Sequence, residues 1–503
     1  MTSKNGLSII KPVPKTRIGL YSAGLKAYWS QFEGLRDRLR QYGAFIEEKL
    51  SQYGEVFNYG LVDDEAEGRK AGEWLNANNV DIVFCHSATY FTSASALPVH
   101  QACKAHVVIL NLQPTAAMNY ARTTTGEWLA HCGACPVPEF CNALGRAGIS
   151  FDVVNGLLGL EKTPEISVAD EVTAHRPEAV KVWEKASRFA RAAGVKRMLR
   201  GARFGFLGGN YSGMLDMYSD FTVLQTQTGM HVELLEMCDL NRSLQKITDA
   251  EVSEKMDAIG KFFRIEGDSP ADPIAKKPDP EQLRWSARVA AAQERMAREY
   301  DLDALAYYYH GSDDNEYERL QAGFIVGHSL LTAAGVPCAG EGDMKTALAM
   351  KICDSLGVGG SFSEIVAVDY NIGSIILGHD GPFHIMISDG KPVLRGMGVY
   401  HGKRGSGVSV EANVAAGDVT LLGAAQTSEG KLRFIVSEGK AVKEEILKIG
   451  NTQTHVIFDT DPDTYMDKWF PCEPTHHMAM SVGRNAELFL TTAKLLGIEC
   501  LIV

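Results

Sequence analysis

The chain has 503 residues, 45% of them apolar, so it exceeds one usual hydrophobic core and has the apolar surface for two or three. Fifty Lys and Arg stand against 62 Asp and Glu, and the formal charge of −12 is spread along the chain rather than blocked, which argues against a nucleic-acid partner. The polar stretch 1–15 has no apolar run suited to export and no membrane-length span follows, so a cytoplasmic protein with no membrane partner is the expectation.

Residues 17–21 read as a buried strand, and the charged, periodic run 28–52 as a long amphipathic helix. A strand near Val56, a helix over 63–79 and strands over 80–84 and 107–111 continue the alternation. Strand alternating with helix predicts a doubly wound α/β domain, assigned to residues 1–175. The alternation restarts near Ala202, with strands at 204–209, 230–235 and 304–307. A Pro- and Asp-rich loop, 268–280, precedes a long helix over 281–300. These form a second α/β domain, 176–357. Beyond Ile375 come short β-prone runs at 375–377, 384–388, 392–395, 419–422, 432–437 and 455–458, separated by Gly, Asp and Ser turns. They predict an antiparallel barrel or sandwich over 358–503, closed by a helix at 486–497. The expected class is α/β: two doubly wound α/β domains followed by a C-terminal antiparallel β-barrel-like domain.

The most informative stretch is Ala339-Gly340-Glu341-Gly342-Asp343-Met344-Lys345-Thr346-Ala347, followed by Gly360-Ser361-Phe362-Ser363-Glu364 and Leu377-Gly378-His379. A histidine pair, His476-His477, stands near the C-terminus. Glu341 falls between an apolar run and a helical one, at a strand end of the kind where ligand sites form in open α/β sheets. Two carboxylates and two neutral imidazoles make a hard-to-borderline donor set suited to Mn²⁺ and its neighbours. Such a site favours metal-assisted proton transfer on an oxygen-rich substrate. Moving a proton between adjacent carbons of a hydroxy-carbonyl compound requires a base, an acid and something to hold the enediolate charge. Glu341 and Glu364 suit the first two tasks. An ordinary carboxylate is a weak base near pH 7, so burial or a neighbouring carboxylate is expected to push one of the pair up. Each piece also has a bland reading: turn acids are commonly solvated, Glu364 fits a strand residue facing water, and a single histidine is more often hydrogen-bonded than metal-bound. Convergence of distant segments is the testable content.

At these residues the sequence resembles the L-arabinose isomerase and L-fucose isomerase superfamily of metal-dependent aldose–ketose isomerases. The Gly-Glu-Gly-Asp-x-Lys-Thr-Ala segment of the arabinose isomerase pattern matches 340–347, and its Ser-Phe-x-Glu segment matches 361–364. The third ligand follows a Leu-Gly pair and matches His379, although the spacing is slightly shorter and Asp380-Gly381-Pro382-Phe383-His384 departs from the pattern. The fourth is the second member of a His-His pair, His477. The resemblance implies Mn²⁺, or another divalent cation such as Co²⁺ or Mg²⁺, held by Glu341, Glu364, His379 and His477, with both glutamates acting through a cis-enediol. It also implies a homo-oligomer, trimer or hexamer, whose Ala130-His131-Cys132-Gly133 segment reaches across to a neighbour's cleft. His131 is thereby a candidate substrate contact; Lys26, His476 and Asp343 are further candidates, and Asp343 and Lys345 also support Glu341. Departures at 22–29 and near Trp128 leave the sugar open among pentoses, 6-deoxyhexoses, hexoses and a sulfonated hexose such as sulfoquinovose. Lys26, with Arg122 and Thr123-Thr124-Thr125, has the chemistry to meet an anionic or larger sugar.

Two readings from other classes compete. A non-catalytic sugar-binding protein also places two α/β domains around a cleft, but the four-residue metal pattern and the missing export signal speak against it. Cys132-Gly133-Ala134-Cys135 with Cys141 has the spacing of a redox pair or half a zinc site, yet no second Cys-x-x-Cys completes it. Ten cysteines without an export signal read as reduced thiols. The glycines over 201–213 form no dinucleotide fingerprint, so no nicotinamide cofactor is expected.

Overall fold

The computed structural model describes residues 3–4, 7–162, 172–309, 315–397 and 407–503. The chain divides into two compact units, Pro14–Arg197, and Met1–Val13 together with Met198–Val503.

In the unit 14–197, five parallel strands run in the order Gly54–Val62, Thr16–Ala23, Ile82–Ser87, His106–Gln113, Phe151–Leu157. Numbered along the chain this is 2-1-3-4-5, a doubly wound order. All six residues of Ile82–Ser87 are buried, as a central parallel strand covered on both faces requires. The helix expected over 28–52 starts later, at Leu35, because the chain turns through Gly34 at φ 79. Lys26–Tyr28 is a single 3-10 turn instead.

In the larger unit, four parallel strands are ordered Cys338–Ala339, Ala304–Tyr308, Arg203–Gly208, His231–Leu235. Six antiparallel strands then close a ring: Gly417–Gln426, His477–Val482, Gly359–Asp369, Ser374–His379, Thr452–Ile457, Leu432–Val442, and back to Gly417–Gln426. Closure leaves no free edge among these six. Glu499–Ile502 adds in parallel to Leu432–Val442. The class is thus the expected one, parallel α/β sheets with a closed antiparallel barrel.

Two β-prone runs depart from expectation. Residues 384–388 form a 3-10 turn, Ile385–Ile387, because nearby main-chain N–H groups are taken by side chains: Phe383 donates to Ser329 Oγ at 3.0 Å and His384 to Ser361 Oγ at 3.2 Å. Val393–Met397 lies outside the barrel, in a small sheet with Gly407–Glu411, Arg264–Ile265 and Ala275–Lys276. All ten cysteines are free thiols. Among the described residues, no helix is long and apolar enough to cross a membrane.

Three buried histidines make stability depend on pH. Burial holds His86 and His100, in the unit 14–197, and His328, in the larger one, at a pKa of about 3. In the unfolded chain each binds a proton below about pH 6.5, while the folded protein refuses it until about pH 3. The unfolded state therefore holds more protons inside this window. Stability is complete above about pH 6.5 and falls as the pH drops, by at most about 1.4 kcal/mol per pH unit for each ring. Urea midpoints at pH 5 are expected to lie clearly below those at pH 7.5; equal midpoints would contradict this.

Candidate metal and active site

Strand Cys338–Ala339 ends at the carboxyl edge of its parallel sheet, and the chain turns through Gly340–Gly342 into helix Met344–Ser355. Glu341 sits in that turn at φ 59, a left-handed conformation that costs a non-glycine residue about 1–3 kcal/mol and persists only where the surroundings hold it. The segment after Arg203–Gly208 does so. Tyr211 N donates to Glu341 O at 3.0 Å, and Asn210 Nδ2 donates to Gly342 O at 2.9 Å. The approach is close enough to demand glycine at 342, where φ is 79 and a Cβ would lie 2.3 Å from Gly209 O.

Asp343 caps the helix. Its Oδ1 accepts from Lys345 N and Thr346 N, both at 3.0 Å, and its Oδ2 accepts from Thr346 Oγ1 at 2.6 Å. Burial pushes this carboxyl up, but the hydrogen bond from His477, with Lys345 and Thr346, outweighs it and holds the group well below the usual range. His477 Nδ1 donates to Asp343 Oδ2 at 3.2 Å, so its Nε2 carries the lone pair. Burial outweighs Asp343 in turn and keeps this imidazole below its ordinary pKa.

His379 closes strand Ser374–His379, with Nδ1 3.0 Å from Asp380 Oδ1 and Nε2 3.2 Å from His477 Nε2. A carboxylate thus lies beside each Nδ1, and the two Nε2 atoms approach each other within hydrogen-bond distance. A shared proton or a cation between them satisfies both nitrogens. Burial pushes His379 down, yet Asp380, Glu364 and Glu341 outweigh it and raise its pKa.

Glu341 completes the group. Its Oε1 is 3.9 Å from His379 Nε2, and its Oε2 is 3.6 Å from the Nε2 atoms of both His477 and His476. Oε2 is buried and has no hydrogen-bond partner among the described residues. Donor atoms of Glu341, His379 and His477 lie within 4.8 Å of one another, as do those of Glu364, His476 and His477. The barrel explains the second trio, because Glu364 stands directly opposite His477 in the ladder between Gly359–Asp369 and His477–Val482. An orphaned carboxylate oxygen beside two imidazole Nε2 atoms is a donor set that fits a divalent cation.

Burial pushes the Glu341 carboxyl up, but His476, His477 and His379 outweigh it, and its pKa lies below the ordinary value. His476, on the same carboxylate, goes the other way: burial lowers it, Glu341 and Asp216 outweigh burial, and its pKa is pushed up to about 9.

Of the eight candidates, Glu341, Asp343, Glu364, His379, His476 and His477 are brought together in the larger unit. Lys26 and His131 belong to the unit 14–197. Lys26 is exposed, with Nζ 2.8 Å from Asp64 Oδ2. His131 is buried, with Nδ1 hydrogen-bonded to Glu127 O at 2.9 Å and Nε2 to Thr115 Oγ1 at 2.8 Å. Two participants escaped the sequence reading. Asp380 stood out only as a departure from a motif, and Asp216, which meets His476, is 260 residues away from it along the chain. Glu341, His379 and Asp380 line a cavity together with Tyr308, Gln321 and Ser409, which places open space against the donor atoms.

Asp343→Asn tests the support of His477. The amide keeps an oxygen for the helix cap but cannot accept from both Thr346 and His477 as the second carboxylate oxygen does. Mn²⁺ affinity is expected to weaken by about 10–100-fold. Titration followed by electron paramagnetic resonance checks this, and an unchanged affinity would contradict it.

A left-handed glutamate, a second glutamate and two facing imidazoles, set between a parallel sheet and a closed barrel, define a candidate metal site of oxygen and nitrogen donors. The chain is 24% identical over 352 residues to L-arabinose isomerase from Geobacillus thermodenitrificans (strain NG80-2), covering 67% of each chain. No family model matches the sequence. The match is that of a distant relative, a protein named as an L-arabinose isomerase.

Proposed function

We propose that the protein is a metal-dependent aldose–ketose isomerase that transfers a proton between adjacent sugar carbons through a cis-enediol. The observation that carries this reading is that two donor groups from separate segments, Glu341 with His379 and Glu364 with His476, meet at His477, where an unpartnered Glu341 oxygen lies beside the paired Nε2 atoms. These four residues would hold Mn²⁺ or a similar divalent cation such as Co²⁺ or Mg²⁺, which when bound supplies Lewis-acid stabilisation of charge on sugar oxygens. Asp343 holds the His477 ring so that it presents Nε2, and Asp380 places its carboxylate 3.0 Å from Nδ1 of His379. Glu341, held below its ordinary pKa, is ionised near pH 7 and serves as the base for the carbon-bound proton. Glu364, opposite His477, exchanges a proton with a sugar oxygen. His476, partly exposed beside Glu341, is the nearest candidate substrate contact. The trimeric or hexameric homo-oligomer, and sugar contacts from Lys26 and His131, belong to the same proposal. For His131, such a contact requires giving up one of its two present hydrogen bonds.

The test is a screen of chelated protein, with and without Mn²⁺, against pentoses, 6-deoxyhexoses, hexoses and sulfoquinovose, reading ketose. Metal-dependent ketose formation supports the proposal and names the sugar. Sugar binding with no turnover under any divalent metal would overturn it in favour of a non-catalytic sugar-binding protein on this fold.

A further inference from the structure

The four proposed metal ligands do not include the Asp216–His476 pair. We infer that Asp216 is a positioning residue for the proton transfer, locking the His476 ring so that its Nε2 stays on the Glu341 carboxylate; the inference rests on the isomerase reading above.

A single carboxylate oxygen does the locking. Asp216 Oδ2 accepts from the main-chain N–H of His476 at 2.9 Å and from its ring Nδ1 at 2.7 Å. Holding backbone and ring at the same point restricts the side-chain torsions, and a carboxylate at Nδ1 leaves Nε2 facing the opposite way. There it meets Glu341 Oε2 at 3.6 Å. The His476 side chain is 35% exposed, against 5% for His379 and none for His477, so it is the most exposed ring of the three. A ring so exposed needs a tether to keep one orientation.

The tether is itself anchored to the Glu341 turn. Asp216 lies in the 3-10 turn Leu215–Met217. Asn210 Nδ2 donates to Met217 O at 3.1 Å as well as to Gly342 O at 2.9 Å, and Lys345 Nζ donates to Ser219 Oγ at 2.8 Å. With Tyr211 N on Glu341 O, these bonds brace one short segment against the 341–345 stretch. The same segment thus fixes the glutamate through its backbone and the neighbouring imidazole through Asp216. Asp216 is in neither donor trio, although His476 is grouped with Glu364 and His477, so disturbing Asp216 should alter proton transfer more than metal retention.

The experiment is a double-mutant cycle in the Mn²⁺-loaded protein with Asp216→Ala, His476→Ala and both together, reading kcat, KM and Mn²⁺ affinity by electron paramagnetic resonance. Asp216→Ala is expected to lower kcat by about 10–100-fold, with KM and Mn²⁺ affinity within about 3-fold of wild type. In the His476→Ala background the same change should alter kcat by less than about 2-fold. Asp216→Asn, which keeps an acceptor oxygen, should recover part of the loss, and it carries the comparison if the alanine variant fails to fold. Equal losses with and without His476, or an unchanged kcat in Asp216→Ala, would overturn the inference while leaving the isomerase reading in place. Wild-type protein that makes no ketose from any aldose would overturn both.

Discussion

Glu341→Gln is expected to lower kcat/KM for isomerisation by about 10²–10⁴-fold, the usual loss when a positioned general base is removed. The amide matches the carboxylate in shape and makes no new demand on the left-handed turn, so the fold should persist. What disappears is the negative charge that the Nε2 atoms of His379, His476 and His477 surround at 3.6–3.9 Å. The variant cannot take the carbon-bound proton, and it offers a cation a neutral oxygen in place of an anionic one. Steady-state kinetics at saturating Mn²⁺ separate these losses, because added metal repairs weak binding but not a missing base. Activity within tenfold of wild type, at unchanged thermal stability, would remove Glu341 from the chemistry.

Arg395→Met is expected to destabilise the larger unit by about 3–5 kcal/mol. Arg395 is 1% exposed, and its Nε and one terminal nitrogen donate in parallel to the two carboxylate oxygens of Glu411, each at 3.1 Å. It also donates to Gly267 O and to Glu266, which ties the strand Val393–Met397 to the segment after Arg264–Ile265. Methionine fills much of the volume but leaves Glu411, itself 4% exposed, with a buried charge that Gly450 N, donating to Oε2 at 3.2 Å, does not neutralise. Losing a partner from a buried pair costs more than losing the pair. Arg395→Met combined with Glu411→Leu should therefore recover most of the stability. Denaturant unfolding checks both variants, and a single-variant loss below about 1 kcal/mol would contradict the expectation.

What could be read from the chain divides along physical lines. Ile82–Ser87 and Ala304–Tyr308 are short apolar runs between turn residues, and a buried parallel strand needs little else to be recognised. Glu341 was legible because a Gly-Glu-Gly-Asp turn between strand and helix places an acid at a sheet's carboxyl edge. Closure of the barrel was less so, since it depends on Gly359–Asp369 pairing with His477–Val482 more than a hundred residues later. The 3-10 turn at Ile385–Ile387 defeated local propensity because Ser329 and Ser361, distant in sequence, take the N–H groups a strand would have paired. Charge was the least legible property. The Glu341 carboxylate is lowered by three imidazoles that only the fold assembles, and Asp216 has no sequence signal at all.

The most direct test is to run the reaction in D₂O with Mn²⁺-loaded protein and the aldose that turns over, reading the ketose by mass spectrometry and NMR. Ketose that requires the metal and carries solvent deuterium at C1 is the expected result, because a proton held on a carboxylate exchanges with water before it is returned. Ketose formed without solvent deuterium would contradict proton transfer by the glutamates and require a hydride shift between the two carbons.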